Sequence, residues 1–150
     1  MARGLGMNVQ GGTIAVIDDD LRVLESLANL LASFGYKAES YKSAEQFLTS
    51  FVPSRLCCII TDVEMRQMSG LDLLQYLKKS GCTIPVIIIT GKPSIRPEAF
   101  YLESGAAGFF RKPVDGDALL ELIGAVFTWL HFATSFGGVD MLFPDTVEAE

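Results

Sequence analysis

Four apolar runs in this chain each lead into a side chain that can do chemistry. Thr13-Ile14-Ala15-Val16-Ile17 ends in Asp18-Asp19, and Leu56-Cys57-Cys58-Ile59-Ile60 passes through Thr61 to Asp62. Ile84-Pro85-Val86-Ile87-Ile88-Ile89 ends at Thr90, and Gly108-Phe109-Phe110-Arg111 leads into Lys112. Short apolar runs bounded by turn signals read as strands of a parallel sheet. In open α/β sheets, ligands bind beyond the carboxyl ends of the strands, so these five residues are expected on one edge. Three carboxylates held close repel one another and need a counterion. An oxygen-only cluster with open positions suits Mg²⁺. Lys112 adds a point positive charge that can pair with Asp62 or with a phosphoryl oxygen. A carboxylate beside Mg²⁺ and an ammonium can attack phosphorus and carry an acyl phosphate. The Thr90 hydroxyl can then donate to the new phosphoryl oxygens, turning a covalent event into a shift of backbone and packing.

The intervening segments supply the elements that would position these residues. Leu24, Leu27, Leu31 and Phe34 share one helical face, with Asp20 suited to the N-cap and Gly35 to the position after the C-cap. Tyr36 to Tyr41 is a short half-polar strand. Ser43-Ala44-Glu45-Gln46 fits a capping box before Phe47, Leu48 and Phe51, and the Pro53 region closes that helix. Leu71, Leu74 and Leu77 mark a third helix stopped by Gly81. A weak fourth helix, Glu98 to Ser104, follows Pro93 and Pro97 and closes at Gly105. Asp117 can cap the last, which is expected to run to about His131. The alternation predicts an α/β fold with a doubly wound, five-stranded parallel sheet over residues 13–131. Residues 1–12 carry four glycines and read as a flexible lead-in. Residues 132–150 lose periodicity and read as a C-terminal tail too short for an output domain.

Composition narrows the function classes. Hydrophobic residues are 49% and charged residues 20%, an ordinary globular balance, and no apolar run approaches a bilayer-spanning length. A net charge of −6 argues against direct nucleic-acid binding by this segment. Three cysteines without ligand spacing read as reduced small hydrophobes, neither a disulfide framework nor a metal site, and a cytoplasmic location is expected.

The ordered set Asp18-Asp19, Asp62, Thr90 and Lys112-Pro113, with Met65 and Gly70 after the central aspartate and Gly105-Ala106 before the fifth strand, resembles the response-regulator receiver domain of two-component signalling. The resemblance covers about residues 13–126. It implies the flavodoxin-like (β/α)5 fold with strand order 2-1-3-4-5, and a protein that accepts phosphorylation without being an enzyme. Asp62 would be the phosphoacceptor, and Asp18, Asp19, Asp62 and the Glu64 backbone carbonyl would hold Mg²⁺. Thr90 and Phe109 would form the switch pair, Lys112 would contact the phosphoryl group, and the peptide bond to Pro113 would be cis. The partner would be a sensor histidine kinase or phosphotransfer protein. The Gly70-Leu71-Asp72-Leu73-Leu74 stretch looks most like receivers that precede helix-turn-helix output domains.

The chain departs from the family after Met65, where Arg66, followed by Gln67, stands in place of the usual proline, which is expected to loosen the loop beside the site. Glu64 and Lys92 lie where side chains can tune dephosphorylation. In the last helix, Leu120, Ile123, Phe127 and Leu130 form one apolar stripe, and Leu119, Leu122, Val126 and Trp129 a second. The second stripe needs a cover, either a partner subunit or Phe132, Phe136, Met141, Leu142 and Phe143 of the tail. The leading expectation is dimerisation through the face of the fourth helix, fifth strand and fifth helix. The acidic tail, with no long polar linker, tilts the reading toward a complete single-domain regulator over a piece of a longer DNA-binding one. Two alternatives stand beside the phosphorylated switch. One is a phosphorylation-independent adaptor with the same fold. The other is a haloacid-dehalogenase-type phosphatase, for which Asp18 and Asp20 offer Asp-x-Asp spacing but Arg22 stands where Thr or Val is needed.

Overall fold

The strand that carries Asp62 is the central one of a five-stranded sheet. The computed structural model describes residues 13–91 and 96–135, the side chains of Ser54 and of 129–135 excepted. Its elements are β1 (Thr13–Ile17), α1 (Leu21–Ser33), β2 (Lys37–Tyr41), α2 (Ala44–Thr49), a 3₁₀ turn (Pro53–Arg55), β3 (Leu56–Asp62), α3 (Gly70–Lys79), β4 (Val86–Thr90), α4 (Glu98–Glu103), β5 (Gly108–Arg111) and α5 (Gly116–Ser135). All strand pairs are parallel and the sheet order is β2-β1-β3-β4-β5, as the alternation and the resemblance imply. The fold is therefore doubly wound α/β.

Strand alternation sorts the core. Ala15, Ile17, Ile59, Val86 and Ile88 cluster with Ala44 and Phe47 of α2, Leu73, Leu74 and Leu77 of α3, and Tyr101 of α4. Ile14, Val16, Ile60, Ile87 and Ile89 alternate with them and are fully buried on the other side of the sheet. α1 lies along β1 and β2 and buries Leu24, Leu27 and Leu31. Phe34, expected on that face, is 60% exposed, because it is the C-cap and its backbone has left the helical path. Leu73 joins Leu74 and Leu77 in the core, whereas Leu71 is only half-buried.

Helix ends follow local chemistry with three amendments. The Asp20 carboxylate accepts from Arg22 N–H as an N-cap, and Gly35, Gly81 and Gly105 end α1, α3 and α4 in the left-handed conformation, with φ of 88°, 81° and 111°. The box at Ser43 is half formed: Ser43 Oγ accepts from Gln46 N–H, but Gln46 Oε1 accepts from Lys42 N–H, one residue before the cap. Asp117 is the second residue of α5, so it sits within the first turn, where its charge favours the helix dipole. α5 also runs four residues past His131, to Ser135.

The described chain divides into two compact units, one reaching Gly116 and the other starting at Asp117. In the second, Leu119, Leu120, Ile123 and Phe127 are buried, while Leu122 and Val126 are half-buried. Leu119 therefore belongs to the buried stripe and is not available to a partner. Positions 119, 123 and 127 recur every fourth residue and lie within one wide apolar arc, opposite the exposed Asp117, Glu121 and Thr128. The side chains of Trp129, Leu130 and Phe132 lie outside the described residues, as do Phe136, Met141, Leu142 and Phe143. Among the described residues no helix is long and apolar enough to cross a membrane. Cys57, Cys58 and Cys82 form no disulfide.

Candidate functional site

β1, β3, β4 and β5 bring their ends together, and the backbone continues the pairing past them. Val63 N–H donates to Ile89 C=O at 2.9 Å, and Lys112 N–H donates to Thr90 C=O at 2.8 Å. Lys112 is thereby fixed beside the end of β4, and its stem lies over Gly91, where an added Cβ would stand 3.1 Å from Lys112 Cδ. The Lys112-Pro113 bond is cis.

Carboxylate oxygens of Asp18, Asp19 and Asp62 lie within 4.8 Å of one another, with Asp18 and Asp62 buried and Asp19 exposed. Lys112 Nζ stands 2.8 Å from Asp18 Oδ2 and 3.3 Å from Asp62 Oδ1. Neither of these two buried oxygens accepts a well-aligned hydrogen bond, so the ammonium compensates them by charge more than by geometry. The other Asp18 oxygen accepts from Asp20 N–H at 2.9 Å, which fixes its carboxylate. Burial, and next the charge of Asp18, push the Asp62 carboxyl up to about 7, although Lys112 pulls the other way. For Lys112, burial disfavours the ammonium, but its close contact with Asp18 and the charges of Asp62 and Asp18 outweigh that and raise it. Three close carboxylates and one ammonium leave an excess of negative charge on oxygen-only donors, two of them with buried oxygens short of hydrogen bonds. That donor set fits a hard divalent cation such as Mg²⁺.

Two contacts were not legible in the sequence. The Thr90 hydroxyl donates to Glu64 Oε1 at 2.9 Å, joining residues 26 positions apart. Met68 N–H donates to Glu45 Oε2 at 3.0 Å, from a helix 23 positions upstream. The β3–α3 loop is thus pinned at both ends, where loss of the proline suggested a looser segment. Gln67 takes the left-handed conformation at φ 59°, Gly70 N–H donates to Val63 C=O at 2.9 Å, and a Cβ on Gly70 would collide with Asp62 C=O. Asp20, the second acid of the Asp-x-Asp reading, spends its carboxylate on the α1 cap and Arg22, so nothing supports a dehalogenase-type site.

Phe109 is half-buried, stacked on Tyr101 at 5.3 Å between centroids, with Arg111 Cζ 5.2 Å from its own centroid. It pairs with Ile88, two positions before Thr90 in the register of β4 and β5. Lys92 lies outside the described residues.

Comparison with known proteins points the same way. Residues 14–124 match the family model for the response regulator receiver domain. Response regulator protein TodT of Pseudomonas putida is 39% identical over 127 residues, 85% of this chain and 55% of that protein. Transcriptional regulatory protein FixJ of Azorhizobium caulinodans is 41% identical over 112 residues, 75% of this chain and 53% of that protein. The chain spans about half the length of the curated relatives it matches. Among solved structures, FixJ-N superposes with a TM-score of 0.70 at 33% identity, covering 79% of this chain and 95% of that one. A receiver domain protein from Clostridium thermocellum superposes with a TM-score of 0.75 at 28% identity, covering 81% and 98%. Fold, strand-end residues and family match agree: the chain belongs to the response regulator receiver domains of two-component signalling.

Proposed function

We propose that Asp62 is the phosphoacceptor of this receiver domain. The observation that carries this reading is its buried carboxylate at the end of β3, grouped with those of Asp18 and Asp19 and faced by Lys112. An Asp62 carboxylate oxygen attacks phosphorus. The bond from phosphorus to the donor, a kinase or phosphotransfer histidine nitrogen, breaks, and the imidazole leaves with its electron pair and takes up a proton. Asp18, Asp19 and Asp62, with the Glu64 carbonyl, would hold Mg²⁺, which screens the carboxylates from the incoming phosphoryl group. Lys112 remains as the fixed positive charge on the other side and stabilises the acyl phosphate.

The switch starts from the contact made by Thr90. In the unphosphorylated chain its hydroxyl donates to Glu64, and moving that donor to a phosphoryl oxygen pulls the end of β4 toward Asp62. Phe109, packed between Tyr101 and Arg111, is the aromatic that would follow. Glu64 would also tune dephosphorylation, since its carboxylate already reaches the site edge; Lys92 is proposed for the same role on sequence grounds alone. Output would pass through α4 and β5 to a second copy or a protein partner.

The test is intact mass after incubation with acetyl phosphate, with and without Mg²⁺, for wild type and Asp62→Ala. A Mg²⁺-dependent gain of about 80 Da in wild type alone, the mass of one phosphoryl group, is the expected result. No gain in wild type, with a partner still bound, would make the chain a static adaptor and overturn the reading.

A further inference from the structure

Glu45 is an acid that the phosphoryl chemistry does not use. It sits in the first turn of α2, is not one of the clustered carboxylates of Asp18, Asp19 and Asp62, and one of its oxygens accepts from Met68 N–H at 3.0 Å. Its other oxygen is buried and accepts no hydrogen bond among the described residues. A carboxylate that is half desolvated for the sake of one backbone bond is a poor stabiliser, because the buried second oxygen gives up its water without a replacement. An apolar side chain there would serve packing better, next to the half-buried Met65 and Met68 that already lie against the α2–α3 core.

That bond ties down the far end of a loop whose near end is held by the bond between Thr90 and Glu64. Arg66 and Gln67 occupy the segment where the sequence departs from proline. Gln67 is the one non-glycine residue with positive φ among the described residues, a conformation that persists only where surroundings enforce it. At the near end of the loop Glu64 is tied to Thr90, and at the far end Met68 is tied to Glu45. Between the two ties lie the backbone groups that follow the phosphoacceptor. We infer that Glu45 is a positioning residue for the phosphoacceptor loop, replacing by a charge-assisted bond from α2 the rigidity that proline would supply, and so presetting the loop for the divalent cation. The inference rests on the phosphoacceptor reading of Asp62, which it deepens.

The experiment compares wild type, Glu45→Ala, Glu45→Gln and the double variant Glu45→Ala/Arg66→Pro by amide hydrogen exchange at Met68 and by calorimetric Mg²⁺ titration. Position 66 follows Met65, where the resemblance places proline, and the Arg66 N–H donates to nothing among the described residues, so proline there removes no backbone hydrogen bond. In Glu45→Ala, Met68 exchange is expected to quicken and Mg²⁺ affinity to fall about tenfold, as when a second-shell support is removed. Glu45→Gln keeps an acceptor but loses the charge assistance, and is expected to fall between wild type and Glu45→Ala in both readouts. The double variant recovers Mg²⁺ affinity because proline narrows the chain without Glu45. Unchanged Mg²⁺ affinity in Glu45→Ala, or a loss that Arg66→Pro does not relieve, overturns the inference. If wild type shows no Mg²⁺-dependent phosphoryl gain, the phosphoacceptor reading falls instead, and the Met68 exchange rates still decide whether Glu45 holds the loop.

Discussion

Asp62 keeps its proton well above the usual carboxylate range, and this gives pH experiments a definite sign. Unfolded, it ionises near 3.8; folded and metal-free, burial and Asp18 delay ionisation to about 7. Between these values the unfolded chain binds fewer protons than the folded one, so metal-free stability falls as pH rises and levels off above about 7. Thermal unfolding in a chelator at about pH 5 and about pH 8 checks this, and Asp62→Asn is expected to flatten the slope and to be the more stable protein at the higher pH. Mg²⁺ competes with the same proton, so its apparent affinity is expected to rise with pH. Lys112→Ala removes the one cation facing these carboxylates among the described residues. A loss on the order of 2 kcal/mol is expected without Mg²⁺, less than for a fully buried pair because Lys112 retains 22% side-chain exposure, and added Mg²⁺ should restore part of it.

At the scale of elements, the β3–α3 junction is the tightest part of the site. Gly70 opens α3 where the chain folds back on Asp62 C=O, and there is no room for a methyl group. Gly70→Ala is expected to lose about 3 kcal/mol by chemical denaturation and to displace Asp62 as well, abolishing phosphoryl uptake. One residue earlier, Ser69→Ala breaks the capping box with Asp72 and is expected to lose only about 1 kcal/mol while leaving Asp62 reactive. Strands were legible here because apolar runs and the chemical residues that end them are written consecutively. Cap positions at Asp20 and Gly35 were legible for the same local reason. The ties from Thr90 to Glu64 and from Met68 to Glu45 were not, since no local pattern says which way a side chain turns toward a segment more than 20 residues off. Leu119 was misplaced because the apolar arc opposite the exposed Asp117, Glu121 and Thr128 is wide, and Leu119 adjoins Ile123 as well as Leu122, so spacing alone does not say which row it joins.

Across the whole molecule, parallel strand order makes the cluster possible by placing β1, β3 and β4 side by side with β5 next in line. A cation bound to the folded form alone stabilises by mass action. Mg²⁺ at a hundredfold excess over its Kd is expected to add about 2.7 kcal/mol to wild type and much less to Asp18→Asn, measured by thermal shift. The turns of this chain are also segregated. Among the described residues, the glycines with left-handed backbone are Gly35, Gly81 and Gly105, which precede β2, β4 and β5, at the edge of the sheet away from Asp62. Gln67, the left-handed residue among them that is not glycine, lies in the loop on the reactive edge. In a saturation-mutagenesis screen the two edges should therefore fail differently. Variants at the glycine turns should be temperature-sensitive, rescued by growth in the cold, whereas variants around Gln67 should accumulate to normal levels as folded protein that no longer signals.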